Sequence, residues 1–320
     1  MGRVTKYFGP PGTGKTTTLM NIIEKSLDEG VPPEKIAFIS FSVKAAEEGK
    51  NRAHIRFGLG FDEMPYFCTS HAFCKRVMGI SQVMSGRDVF EFLEDYEFNL
   101  TKKYGSNTRG LRSVVQDPYF DIIERAKANC RTLKEERLSL EKEQRKGVVA
   151  HMLEPMADAW ESFRLSRVPV VYSFADMINK FIDDGEAPEL ELLIVDEAQD
   201  LAELNWRLVD KLALNAKKTY IAGDDDQAIY EWNGARPQRF VNYTGESIVL
   251  DQSYRIPGKV HPIAERISKR IVSREPKSYK PREEPGTVNK VSSVELLPLA
   301  EGDWLVLASC DYMLTDASKG

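Results

Sequence analysis

The sequence predicts an α/β protein built on a parallel sheet, and three observations carry that expectation. Short apolar runs of strand length alternate with segments of helical periodicity from the N-terminus to about residue 84, and the rhythm resumes near residue 169. The first strand-to-helix junction is a glycine-rich loop ending in Lys15-Thr16. A second apolar run, LLIV at 192–195, ends in the acids Asp196 and Glu197.

The elements follow in order. Residues 4–8 are β-prone and run into the glycine-rich loop. Residues 16–27 place Leu19, Ile22, Ile23 and Leu27 at helical spacing and stop before Gly30. Residues 36–41 form a second strand and 45–56 a helix. Residues 66–68 suit a third strand, followed by a helix over 71–78. Residues 192–195 and 219–222 are buried strands, 247–250 is a sixth strand, and WLVLA at 304–308 is one more.

Between 85 and 168 the composition shifts to charge and helix formers, which predicts a helical insertion. Its extreme, residues 133–146 (LKEERLSLEKEQRK), reads as a solvated helix face. The Pro-rich, basic stretch 269–286 reads as a connecting segment. The expected organisation is therefore an NTPase domain of residues 1–84 and 169–255, a helical insertion of 85–168, and a connector with the start of a second domain over 256–320. No internal repeat of fixed period is present.

Composition narrows the class. The 320 residues are 42% hydrophobic and 29% charged, as in ordinary globular chains. No run approaches the roughly 18 apolar residues of a membrane span, so a soluble, cytoplasmic protein without a membrane partner is expected. Cys68, Cys74, Cys130 and Cys310 form no Cys-x-x-Cys pair, and His54, His71, His151 and His261 are scattered. That spacing argues against a structural zinc site and for reduced thiols. The net charge of −5 excludes a wholly basic nucleic-acid binder but not a local basic or aromatic groove.

The chemistry lies in two places. Gly9-Pro10-Pro11-Gly12-Thr13-Gly14-Lys15-Thr16, followed by Thr17, matches G-x-x-x-x-G-K-[ST] at a strand-to-helix junction. Its backbone N–H groups and the helix N-terminus suit phosphate oxygens. Lys15 would reach the β- and γ-phosphates, and the Thr16 hydroxyl would ligate Mg²⁺. Such a loop needs a carboxylate at the end of a neighbouring strand. Asp196 supplies it and would hold the metal with Thr16. Glu197 is placed to orient and deprotonate the attacking water.

The blocks around these motifs resemble superfamily 1 DNA helicases of the UvrD/Rep/PcrA type. Asp196-Glu-Ala-Gln-Asp200 is similar to that family's DEXQD box. The stretch from Gly223 to Ala235 (GDDDQAIYEWNGA) is similar to its third motif, and that from Leu250 to Arg255 (LDQSYR) to its Asn-Tyr-Arg motif. Further matches are FSVKAA from Phe41, TSHAFC from Thr69 and YSFAD from Tyr172. The resemblance implies a RecA-like P-loop domain with a parallel sheet, a helical insertion and an incomplete second RecA-like domain. It implies ATP and Mg²⁺ as cofactors and single-stranded DNA, or a single/double-strand junction, as partner. It assigns Gln227 to sensing the γ-phosphate, Arg255 to stabilising transition-state charge across the cleft, and Tyr254 to stacking on adenine. It assigns Phe41, Thr69, His71, Tyr230 and Trp232 to DNA. Stacking aromatics suit a sequence-blind motor, at about 1–3 kcal/mol per base.

The sequence also departs from that pattern. Met1 stands close before Gly9, so the family's adenine-reading glutamine has no counterpart, which leaves base selectivity open. Asn233 stands where the family often has arginine. The chain ends at Gly320 with no counterpart of the family's last motifs. The leading expectation is an ATP-dependent helicase or single-stranded-DNA translocase of 3′ to 5′ polarity. The alternative is a truncated helicase core that binds ATP and DNA with little turnover. A P-loop NTPase of another class would lack any response to DNA.

Overall fold

The structure is a computed structural model, and it describes residues 2–95, 118–142, 144–293, 296–299 and 301–308. Six parallel strands form its main sheet: β1 (Arg3–Phe8), β2 (Ile36–Ser40), β3 (Phe67–Thr69), β6 (Leu190–Asp196), β7 (Ala216–Gly223) and β8 (Glu246–Val249). Their spatial order is β3-β2-β6-β7-β1-β8. A small second sheet pairs β4 (Gln82–Val83) with β5 (Val171–Tyr172), and no local signal in the sequence announced it.

Helices cover both faces. Strand residues alternate between two cores, as a sheet buried on both sides requires. Ile36, Phe38, Leu192 and Ile194 enter the core with Leu19, Met20 and Ile23 of α1 (Lys15–Asp28). Ala37, Ile39, Leu193 and Val195 enter the opposite core. That core holds Phe73 of α3 (Ser70–Val77), Phe181 of α8 (Phe174–Asp184) and Trp206 of α9 (Glu203–Leu214). Helix α2 (Val43–Phe57) begins at Ser42, whose side chain accepts the Ala45 amide. Full burial of each such aromatic contributes about 1.5–3 kcal/mol.

The insertion, where described, is helical: α4 (Gly86–Asp95), α5 (Pro118–Ala128), α6 (Leu133–Ser139) and α7 (Leu153–Ser166). It has its own core, in which the Phe92 and Trp160 rings touch each other and both Phe120 and Phe163. Two short helices complete the described set, α10 (Pro237–Val241) and α11 (His261–Ser268).

Three expectations are corrected. Asp196 does not end a strand adjacent to the loop strand, because β7 lies between β6 and β1. Local patterning gives strand existence, not strand order. Residues 133–146 are not one solvated face: α6 stops at Leu140, and Glu136 is fully buried among cations. The Glu136 carboxylate accepts from Arg125 at 3.1 Å, Asn129 at 3.0 Å and Arg131 at 3.3 Å. Residues 304–308 form no strand; Leu305 and Leu307 are more than 80% exposed. An apolar run becomes a strand only beside a partner with free N–H and C=O groups, and none pairs with it among the described residues.

No helix among the described residues is long and apolar enough to cross a membrane. Cys68, Cys74 and Cys130 are free thiols, and burial raises all three above the ordinary thiol range, Cys68 to about 11. Cys310 lies outside the described residues.

Candidate active site and nucleic-acid interface

Register brings the strand ends to one edge. Phe8 pairs with Gly223 and Val249, Ser40 with Asp196 and Thr69. Everything that follows these residues is therefore delivered to the carboxyl edge, where open α/β sheets bind ligands.

The phosphate loop leaves β1 under backbone control. The Gly9 amide donates to the Gly223 carbonyl at 3.0 Å, and the Thr13 hydroxyl donates to the Pro10 carbonyl at 2.8 Å. Lys15 Nζ folds back to the Gly9 carbonyl at 3.0 Å. Gly12 sits at φ +72°, and a Cβ there would lie 2.2 Å from the Arg255 Cβ. The loop thus requires glycine for both conformation and space.

Asp196 and Thr16 come together at this edge. The Thr16 hydroxyl donates to Asp196 Oδ2 at 3.3 Å. Burial and the adjacent Glu197 carboxylate push Asp196 up to about 6. A buried carboxylate beside a second one, with a hydroxyl alongside, is a hard-oxygen set that fits Mg²⁺. Glu197 itself has φ +52°, in the left-handed region. That is an uncommon conformation for a residue with a Cβ, and such strain clusters at functional positions.

Two residues that sequence reasoning passed over organise this corner. Gln199 Nε2 donates to Glu197 Oε2 at 3.0 Å and to Asp200 Oδ2 at 3.1 Å, while its Oε1 accepts the Asp224 amide at 3.0 Å. Burial, then Glu197, push Asp200 up to about 6. Ser253 is fully buried and donates to the Pro11 carbonyl at 2.7 Å. The Tyr254 amide donates to the Gly12 carbonyl at 2.9 Å. These two bonds seat the 253–255 segment directly on the loop.

The result is one cleft of about 400 Å³, lined by the loop from Pro11 to Thr17, Glu197, Gln227, Tyr254, Arg255 and Arg52. Arg255 reaches it within this chain, by packing on Gly12. Tyr254 lies on the rim, 73% exposed. Gln227 is exposed, and its Nε2 donates to Asp224 Oδ2 at 2.5 Å. Arg52 was not foreseen; its sequence neighbourhood shows only an i,i+4 pair with Glu48.

The aromatics form a strip. The Phe41 and Tyr230 rings lie 5.9 Å apart, and those of Tyr230 and Trp232 6.4 Å apart. Trp232 is 62% exposed. Gly234, at φ +95°, lets Asn129 of the insertion approach; a Cβ there would lie 2.3 Å from its Oδ1. Thr69 and His71 do not join the strip through any ring contact. The Thr69 hydroxyl caps α3 by accepting the Ala72 amide at 3.3 Å, and His71 packs edge-on against Phe174 at 5.2 Å. Burial lowers His71 to about 4, so it is neutral at pH 7.

Comparison with known proteins follows the same lines. Residues 7–247 match the family described as UvrD/REP helicase N-terminal domain. The chain is 23% identical over 300 residues to a probable DNA helicase II homolog of Mycoplasma genitalium, covering 85% of this chain and 41% of that protein. It is 27% identical over 303 residues to the ATP-dependent DNA helicase PcrA of Staphylococcus aureus, covering 83% of this chain and 38% of that one. The chain therefore spans about two fifths of the length of these relatives. On the matched span and the architecture together, this chain belongs to the UvrD/REP helicase N-terminal domain family.

Proposed function

We propose that this chain hydrolyses ATP in the cleft over the Gly9–Thr16 loop and couples that reaction to movement on single-stranded DNA. The observation that carries the reading is convergence. The phosphate loop, Glu197, the neutral amide of Gln227 and two arginines, Arg52 and Arg255, line one cleft, and Gln227, Tyr230 and Trp232 share one loop after β7. The helicase names of the relatives support the same activity class.

In this reading the loop amides and Lys15 bind the triphosphate. Thr16 and Asp196 hold Mg²⁺, which would neutralise charge on the phosphate oxygens. Glu197 orients the attacking water and takes its proton. Arg255 stabilises charge at the γ-phosphate, and a guanidinium in that role contributes several orders of magnitude in rate. Tyr254 stacks on the base. Gln227 links the γ-phosphate to the loop of Tyr230 and Trp232, which hold DNA bases with Phe41. Thr69 and His71 border that path through α3. Translocation from 3′ to 5′, a strand junction as substrate, and division of the chain at residues 85, 169 and 256 belong to the same proposal.

The test is steady-state ATP hydrolysis with and without oligo-dT, with Lys15→Ala as blank. DNA stimulation well above the blank supports the motor. Binding of DNA and nucleotide without turnover assigns the chain to the binding half of a helicase. Absence of both DNA effects would overturn the assignment of the aromatic strip.

A further inference from the structure

A buried charge cluster lies on the loop that carries Gln227. The carboxylate oxygens of Asp224, Asp225 and Asp226 lie within 4.8 Å of one another. Three carboxylates that close repel strongly when removed from water. Their counter-charges come from the connecting segment. The Lys277 side chain is wholly inaccessible to solvent. Its ammonium bonds Asp224 Oδ1 at 2.9 Å, lies 3.3 Å from Asp226 Oδ2, and forms a third, shorter pair with Asp225. Arg274 bonds Asp226 twice, at 2.6 and 2.5 Å, and the Glu275 amide donates to Asp225 Oδ2 at 2.8 Å.

The consequence lies in Asp224. One of its oxygens takes the Lys277 ammonium, and the other takes the Gln227 carboxamide at 2.5 Å. Its backbone amide is held by Gln199, which also binds Glu197. Asp224 is thus fixed from three sides, with Gln199 reaching its amide and Lys277 its carboxylate from outside the loop.

We propose that Lys277 is a positioning residue for Gln227: its ammonium locks Asp224, and Asp224 aims the Gln227 carboxamide at the nucleotide cleft. The inference rests on the role given to Gln227 above. A lysine suits the task because its three N–H donors serve three separate carboxylates, whereas a planar guanidinium is matched to one. The same contact ties the segment after Arg255 to the loop that carries Tyr230 and Trp232.

The experiment compares the wild-type chain with Lys277→Met, Lys277→Arg, Gln227→Ala and the Lys277→Met/Gln227→Ala double variant. Lys277→Met is expected to lower DNA-stimulated kcat at least tenfold while the ATP KM and ADP affinity stay within threefold, because the phosphate loop is untouched. The double variant is expected to be no slower than Gln227→Ala within twofold, since both changes remove one function. Lys277→Arg should recover part of the loss. Multiplicative losses in the double variant, or an unchanged rate in Lys277→Met, overturn the proposal. Should Lys277→Met fail to fold, Asp225→Asn/Lys277→Met relieves one buried charge and replaces it. If the wild-type chain shows no turnover, the functional reading fails, and hydrogen exchange decides this inference separately. Amides of residues 224–228 should then exchange at least tenfold faster in Lys277→Met, with residues 9–17 unchanged. Unchanged protection at 224–228 overturns it.

Discussion

Gln199 holds the Glu197 carboxylate at 3.0 Å. The same side chain accepts the amide of Asp224, so the residue proposed to activate water and the loop of the proposed γ-phosphate sensor share one carboxamide. Removing it should disorganise both. Gln199→Leu is expected to lower kcat by about 10²-fold, within the range one proton-transfer catalyst contributes. ADP affinity should hold, because Gln199 does not touch the phosphate loop. A kcat within threefold of wild type would show that the bridge carries no catalytic weight.

Glu197→Gln separates binding from chemistry. The amide retains the size of the side chain and cannot take a proton from water. Hydrolysis should fall by about 10²–10⁴-fold, with ATP still bound. Rapid filtration of labelled ATP would show trapped, uncleaved nucleotide. Full turnover in this variant would remove Glu197 from the mechanism.

Trp232 and Trp206 make a contrast between surface and core. Trp232 is 62% exposed, and Trp206 is fully buried. Trp232→Ala should weaken oligo-dT binding by about 1–3 kcal/mol and leave urea stability unchanged. Trp206→Ala should cost about 3–5 kcal/mol of stability. Equal DNA affinity of Trp232→Ala and wild type would place the DNA path elsewhere.

Glu136 tests the insertion. Its carboxylate is inaccessible and faces Arg125, which is 12% exposed, and Arg131. Glu136→Ala leaves these cations without their partner, a loss of about 3–5 kcal/mol for a buried pair. Hydrogen exchange over residues 118–139 should accelerate, while the main sheet stays protected. Unaltered exchange there would mean that the arginines find other partners.

What could be read from sequence divides by range. The phosphate loop, the Asp196–Glu197 pair and most strands of the main sheet are signalled by contiguous residues. Strand order is not written locally, so the insertion of β7 between the loop strand and Asp196 was invisible. Yet that insertion is what brings Gln227 to the cleft. Glu136 sits in a run of charges that looks solvated until α5 packs against α6. Lys277 lies some fifty residues from its carboxylates and carries no periodic signal. Residues 304–308 have the composition of a strand, but pairing decides the outcome, and composition does not.

His71 supplies a pH-dependent test. Burial lowers it from 6.5 to about 4. Between those values the unfolded chain binds a proton that the folded chain refuses. Its contribution to stability is therefore complete above pH 6.5 and is lost as pH falls towards 4. His71→Gln removes that titration. The stability gap between wild type and variant should shrink by about 2 kcal/mol from pH 7 to pH 4.5, read from urea midpoints at both values. A gap that stays constant would place the imidazole in contact with water. The same neutrality bears on DNA. An uncharged ring releases no counterion, so His71→Gln should leave the salt dependence of oligo-dT binding unchanged at pH 7.5. A flatter salt slope would instead mean that DNA draws the proton onto the ring.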